Sequence, residues 1–383
     1  MGRMIYADHA ATVPLSKAAL DAMMPYLTTE FGNASTIAAP GRRAKRALEQ
    51  ARETVAAAFG AKPREIYFTS GGSESDNWAL RSAVKAAGPG RAGLVTDAAE
   101  HHAVLRTAES LKNTGCGVRI LDVGQDCRVE PDALRDALGG PGGRAALVSV
   151  MTANNEVGTI MPVPELSAEA HQAGALFHTD AVQAAGHIPL DVRRLGVDLM
   201  SFSSHKFGGP KGFGGLFVRE GLELEPLIFG GGQERGLRAG TENVAGAVGT
   251  AAALSESCRT MRADRDYVSS LRDRLIRGIL TIPGSHLTGD GKSRLPGNAS
   301  FVFEDVEGEA LLLLLDQNGI CASAGSACAS GAAEPSHVLT AMGIPPELAR
   351  GALRLTLGAD NTGEDVGKIL SVLPGIISRL RGA

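Results

Sequence analysis

The chain has 383 residues, 38 of them basic and 42 acidic, for a net charge of −4 with neutral histidines. That length predicts about two or three domains around a large buried core, and the near balance of charge excludes a polybasic surface and with it nucleic acid as the main partner. Hydrophobic residues at 44% and charged residues at 21% exclude a disordered or fibrous chain.

The first nine residues, Met1 to His9, are broken by charge before a signal core could form, so the cytoplasm is the expected location. The longest apolar run, Ala310 to Leu315, falls far short of the roughly 20 residues of a membrane helix and is read as a buried helix segment. Along the chain, an amphipathic helix over Ala44 to Phe59 precedes a strand at Glu65 to Thr69. Further strands are expected at Gly93 to Thr96, Val118 to Leu121, Ala146 to Val150, Ala175 to His178, Leu199 to Phe202 and Gly215 to Val218, with a helix at Pro164 to Ala173. Strands and helices in alternation predict an α/β fold with a mostly parallel sheet flanked by helices. From Thr241 to Leu280 the pattern is helical, a connector between domains. It is followed by a strand at Gly297 to Phe303, a helix at Gly308 to Asn318, a strand at Arg354 to Leu357 and a last helix at Thr362 to Arg381, which Pro374 should kink. This tail is a smaller α+β domain. The expected division is residues 15–255 for the large domain, with 1–14 and 256–383 forming the small one.

Five cysteines, Cys116, Cys127, Cys258, Cys321 and Cys328, are an odd, scattered set without a C-x-x-C pair. They argue against a disulfide framework and a zinc knuckle, and no metal site is expected. The 49 glycines gather in short loops, as loops that approach a ligand do. Thr69 to Asn77, with Gly71, Gly72 and Ser73 at its centre, follows a strand and opens a helix. Glycines admit an anion close to the backbone, and the open amides of a helix start favour negative charge. The stretch lacks the lysine of a P-loop and the spacing of a dinucleotide fingerprint; its plain alternative is a Gly-rich cap. In Phe177 to Gln183 a strand delivers Asp180 at its carboxyl end, the edge where open α/β sheets bind ligands, suited to a cationic ring nitrogen or simply to capping a helix. In Ser201 to Lys206 a strand ends beside Lys206, a lysine with room to form a Schiff base if it is not merely solvated. A phosphate loop, an acid for a pyridinium nitrogen and a strand-end lysine, in that order, are the parts of a pyridoxal 5′-phosphate site.

With those parts the chain resembles the class V aminotransferase family, and within it the group I cysteine desulfurases, a fold-type I pyridoxal-phosphate-dependent architecture. The resemblance covers essentially the whole chain. It is carried by Tyr6 to Thr12, Gly32 to Ser35, Ser70 to Asn77, Glu100 to Leu105, Asn154 to Gly158, His178 to Gln183, Ser204 to Lys206, Gly230 to Gly236, Arg238 to Asn243, and Gly325 to Ser330 with Glu334 to Leu339. Two positions depart from it: Ala38 stands where a histidine is common, and Ala324 replaces a serine.

The resemblance implies pyridoxal 5′-phosphate bound covalently to Lys206, which also shuttles the proton at the substrate α-carbon. Asp180 would hold the pyridine nitrogen and His101 would stack on the ring and assist proton transfer. Asn155 and Gln183 would contact the ring hydroxyl, while Gly72, Ser73, Ser203 and His205 would bind the phosphate. Thr241 would reach the phosphate of the other subunit's cofactor, implying a homodimer; Arg354 would take the α-carboxylate of L-cysteine, assisted by Asn33. Cys328 would be the nucleophile, left carrying a persulfide with alanine as the product, on a loop of small residues suited to moving between cofactor and acceptor. The implied partner is a sulfur-acceptor protein such as an iron–sulfur scaffold, with a cluster ligated through Cys328 in that complex among the arrangements the resemblance allows. His102 is read as a surface neighbour of His101, and His178 and His337 as structural. A selenocysteine lyase or a partner-dependent sulfur-relay subunit on the same scaffold is the alternative.

Overall fold

The computed structural model describes residues 3–88, 93–139, 145–325 and 335–382. The chain opens with strand β1 (Ile5–Tyr6) and helices α1 (Lys17–Thr28) and α2 (Ala39–Ala58). The alternating part follows: β2 (Ile66–Thr69), α3 (Gly72–Ala86), β3 (Gly93–Asp97), α4 (His102–Asn113), β4 (Gly117–Leu121), α5 (Pro131–Gly139), β5 (Ala145–Ser149), α6 (Val163–Gln172), β6 (Leu176–Asp180), α7 (Val192–Leu195), β7 (Leu199–Ser203) and β8 (Gly214–Val218). After α8 (Val244–Ile279) come β9 (Ser285–Leu287), β10 (Asn298–Phe303), α9 (Gly308–Gln317), β11 (Ile320–Cys321), α10 (His337–Ala341), α11 (Pro346–Ala349), β12 (Ala352–Thr356) and α12 (Gly363–Arg381).

Seven strands form the main sheet in the order β2-β8-β7-β6-β5-β3-β4. Only β8 runs antiparallel to its two neighbours; the other pairings are parallel. Helices cover both faces, which is why β5, β7 and β8 are buried at every position and read as continuous apolar runs. A second sheet, β12-β10-β9, is antiparallel, and β1 pairs in parallel with β11. The apolar interior divides accordingly. Residues of α2 and of the main sheet fill two clusters; Leu271, Leu275, Phe301, Phe303, Leu353 and Ile369 centre a third. Helix α8 bridges them, contributing Val244 to Leu254 on one side and Val268 to Ile279 on the other.

One expectation from the sequence is corrected. Ala310 to Leu315 is helical but not buried throughout: Leu311 and Leu315 reach the core, whereas Leu313 is 66% exposed. A spacing of four residues keeps two leucines on one helix face, and a residue halfway between them points away from it. Helix α12 includes Pro374 within its span. Among the described residues, no helix is long and apolar enough to cross a membrane.

Candidate active site

A cavity of about 570 Å³ opens at the carboxyl ends of β6 and β7, within the range of small-molecule sites. One end is the turn from β2 into α3. Gly71 there has φ +154°, a conformation side chains disfavour, and a Cβ on Gly72 would sit 2.6 Å from Val182 Cγ2, so this backbone must be bare. The first intrahelical bond of the turn runs from Ser75 N to Gly71 O, and the amides before it have no helical acceptor. Glu74, the acid nearest this turn, is held by Ser70 and by Arg238, whose Nε lies 2.9 Å from Glu74 Oε1. Its carboxyl is thereby kept below the usual range, its burial being outweighed by these partners. Facing the turn are Ser203, His205, Lys211 and Gly212. Burial and the nearby Lys206 and Lys211 push His205 down to about 4, so its ring is neutral, with Nδ1 3.0 Å from Thr12 Oγ1.

Lys206 follows β7 in a single tight turn and donates from Nζ to the carbonyls of Ala10 at 2.6 Å and Ala11 at 2.8 Å. Asp180, the last residue of β6, is buried and accepts from Val182 N at 2.8 Å. Asp76 on α3, His101 and Asp180 converge with their donor atoms within 4.8 Å of one another. Burial raises both aspartates, Asp76 further through the charge of Asp180, while His101 and Lys206 pull Asp180 back toward its ionised form. Both Asp76 oxygens lack a partner of normal geometry, as do both of Glu100. Beneath them His178 lies between Ser149 Oγ at 2.9 Å and Ser201 Oγ at 3.0 Å, and burial lowers it to about 3. His101 caps α4: its Nδ1 accepts from Ala103 N at 3.1 Å, so the proton of the neutral ring is on Nε2.

The opposite wall comes from the antiparallel sheet. Arg354 in β12 is 2% exposed. Its Nη2 meets Asp8 Oδ1 at 2.8 Å, and its Nη1 donates to the carbonyls of Asn155 at 2.9 Å and Gly325 at 3.2 Å. Gln183 Nε2 donates to Ala10 O at 2.9 Å.

The cavity thus brings together Gly72, Ser73, His101, Asn155, Asp180, Gln183, Ser203, His205, Lys206 and Arg354. Two expected residues lie elsewhere in this chain. Asn33 uses its side chain to accept from Ser35 N in a surface turn, and Thr241 lines a small neighbouring pocket with Ser70, Gly212 and Arg238. Cys328 falls outside the described residues. His102 and His337 also line the cavity, with ring centroids 4.4 Å apart, and His337 bonds Glu100 O at 3.0 Å. Burial and the neighbouring histidines lower His102. Lys211, Thr12 and Glu156 are lining residues to which sequence reasoning gave no role; Thr12 and Glu156 lie inside the stretches Tyr6 to Thr12 and Asn154 to Gly158, and Lys211 follows Lys206 by five positions.

The donor set fits pyridoxal 5′-phosphate. Asp180 and Asp76 are buried carboxyl groups in the cavity lining, Asp76 with neither oxygen partnered, and suit a protonated ring nitrogen; the bare Gly71–Gly72 turn suits a phosphate, and Lys206 is the amine between them.

The aminotransferase class-V family model matches residues 5–369. The cysteine desulfurase IscS of Methanosarcina thermophila is 48% identical over 379 residues, 99% of this chain and 93% of that protein. Among solved structures, a NifS-like protein superposes with a TM-score of 0.92 at 36% identity, over 98% of this chain and all of the other. SspA in complex with cysteine follows at 0.82 and 31%, over 94% of this chain and all of the other. The fold expected from the sequence is the fold of these relatives.

Proposed function

The chain belongs to the class-V aminotransferase family and is a pyridoxal-phosphate-dependent cysteine desulfurase, converting L-cysteine to L-alanine, and from that premise we propose the roles of its residues. The observation that carries them is the meeting of Lys206, Asp180, the α3 N-terminus and Arg354 in one cavity.

When bound, the cofactor supplies an electron sink that weakens the bonds at the substrate α-carbon. The amides of Gly72 and Ser73, with the side chains of Ser73, Ser203 and His205, hold its phosphate; a neutral His205 donates one ring N–H and accepts at the other nitrogen. Asp180 balances the ring nitrogen proton, and the neutral bias of Asp76 behind it avoids a second uncompensated charge. His101, with Nε2–H available, and Asn155 and Gln183 would hold the ring. Lys206 would hold the cofactor through its amine and would move the proton at the substrate α-carbon. Arg354 binds the α-carboxylate as a bidentate pair, with Asp8 fixing the guanidinium from behind.

Cys328 attacks the substrate sulfur as a thiolate. A sulfur–sulfur bond forms, the carbon–sulfur bond breaks, and the carbon takes up a proton, leaving persulfide and alanine. Asn33 and Thr241 serve a site completed by a second copy in a homodimer, in keeping with their positions away from this chain's own cavity. Exposed Leu20, Met24, Leu27 and Phe31 on and after α1 support such a partner face. The acceptor is a protein of the cytoplasm, such as an iron–sulfur scaffold. The working division is residues 15–255 against 1–14 and 256–383, in keeping with the separate third apolar cluster.

The test is to give cofactor-loaded protein L-cysteine and a reductant, then quantify sulfide and alanine beside Cys328→Ala. Equal amounts from the wild type and neither from the variant are expected. Alanine from both would overturn the role of Cys328.

A further inference from the structure

Strand β2 stands first in the order of the main sheet, so among the described strands one of its edges has no neighbour. The other edge pairs with β8. Ile66 O and Phe68 N, two residues apart and so on the same side of the strand, face the open edge. Side chains stand there in place of a strand. Phe68 N donates to Glu234 Oε2 at 3.0 Å, and Ile66 O accepts from Arg52 Nη1 at 2.9 Å and from Arg235 Nη2 at 2.7 Å. Arg52 also grips Glu234 as a fork, Nη1 to Oε2 and Nη2 to Oε1, each at 2.8 Å. These two side chains are only 3% and 5% exposed. The guanidinium of Arg235 lies 3.7 Å from the centre of the Tyr67 ring.

Glu234 and Arg235 reach β2 from a backbone that side chains disfavour, with φ of +44° and +60°. Glycine would sit there without strain, and the same stretch already has Gly230, Gly231, Gly232 and Gly236. Two side chains are nevertheless held in the left-handed region, and both are used on the edge of β2. Further along, the stretch sends Arg238 to Glu74 in the first turn of α3, and Glu74 in turn accepts from Ser70 N at 3.0 Å. The phosphate turn is thus held from two sides: at its start through β2, which ends at Thr69, and at its end through Glu74. Glu234, Ser70 and Arg238 line one small pocket. A buried ion pair adds little to stability, because withdrawing two charges from water offsets their attraction, so stability is a poor reason for keeping this one on a strained backbone.

We infer that Glu234, locked by Arg52, is a positioning residue that sets the turn at residues 70–73 for the phosphate of the cofactor, and so governs retention of the cofactor rather than binding of L-cysteine. The inference rests on the reading of that turn as the phosphate holder. Amides at a helix start bind an anion well only while they converge on it, and Phe68 stands four residues before Gly72.

The test uses the full chain freed of cofactor, as wild type, Glu234→Ala, Glu234→Gln and the double variant Arg52→Met with Glu234→Met. Each is titrated with pyridoxal 5′-phosphate and, separately, with pyridoxal, which lacks the phosphate; absorbance reports binding. For Glu234→Ala the affinity for pyridoxal 5′-phosphate is expected to fall about 10- to 100-fold, with the affinity for pyridoxal and the KM for L-cysteine of the loaded enzyme within about twofold of wild type. Glu234→Gln keeps an acceptor for Phe68 N and should recover part of the loss. Should Glu234→Ala leave Arg52 unpaired and fail to fold, the double variant puts apolar groups in place of the ion pair, a change that buried pairs tolerate. It is expected to keep a Tm near that of wild type and to show the same selective loss. Affinity for pyridoxal 5′-phosphate within about twofold of wild type in the variants that fold, or an equal loss for pyridoxal, overturns the inference. A wild type that binds pyridoxal as tightly as the phosphate form overturns the phosphate-turn reading and takes the inference with it; a wild type that favours the phosphate form, with variants that favour it equally, overturns the inference alone.

Discussion

The floor and the far wall of the cavity are built on opposite electrostatic plans. The floor, at the ends of the parallel strands and the start of α3, holds Asp76, Glu100 and Asp180 in the interior with most of their oxygens short of partners. The wall, on the antiparallel sheet, holds Arg354 with an acid and two carbonyls already in place. A floor short of partners is suited to a resident cationic ring that supplies the missing contacts. A guanidinium whose two terminal nitrogens are already held, with only Nε short of a partner, is pre-oriented, and binds a carboxylate with little reorganisation.

The contrast can be broken most sharply at the lysine between the two. Lys206→Ala is expected to lower alanine formation by on the order of 1000-fold or more, measured by single-turnover alanine release; a loss under tenfold would remove Lys206 from proton transfer. On the wall, Arg354→Ala should raise the KM for L-cysteine by about 100-fold with cofactor absorbance unchanged, since the floor alone would hold the cofactor. Steady-state kinetics beside the absorbance spectrum separate those two outcomes. At the phosphate turn, Gly72→Ala forces a methyl group against Val182 Cγ2 and is expected to cost about 1–3 kcal/mol of stability, read as a lower Tm, together with weaker cofactor binding.

The smallest effect concerns pH. Burial raises Asp97 from 3.8 to about 7, so between those values the folded chain keeps a proton that the unfolded chain has lost. Stability from this group therefore falls as pH rises from about 4 to about 7 and is level above. His178, lowered from 6.5 to about 3, acts in the opposite sense: its contribution is present above pH 6.5 and is lost as pH falls toward 3. Asp97→Asn keeps the acceptor for Ala99 N and removes the first slope. Relative to wild type its stability is expected to gain with pH between 5 and 7, by about 1 kcal/mol per pH unit, read by denaturant unfolding; a gain that is the same at both ends would place the acid burden elsewhere in the cluster.

Much of the floor was legible in the linear chain. Asp180, Lys206 and the Gly71–Gly72 turn lie at the ends of short apolar runs, and an apolar run of that length locates a strand end to within a residue or two. The wall was legible only as a resemblance. Arg354 sits in an apolar stretch with nothing local to mark its purpose, and its partner Asp8 is 346 residues away.

What the sequence by itself determined, then, is the set of strand-end groups and the helix start, because these follow from hydrophobic periodicity and from the conformational freedom of glycine within a few residues. Only the tertiary structure decided the partners: Asp8 for Arg354, Val182 against Gly72, Ser336 and Gly325 on Glu156, and the outward turn of Leu313. Those contacts depend on how two sheets and a bridging helix pack. Close approach and burial, which set the charge of a carboxyl group or orient a guanidinium, are properties of distance in space and leave no periodic trace along the chain.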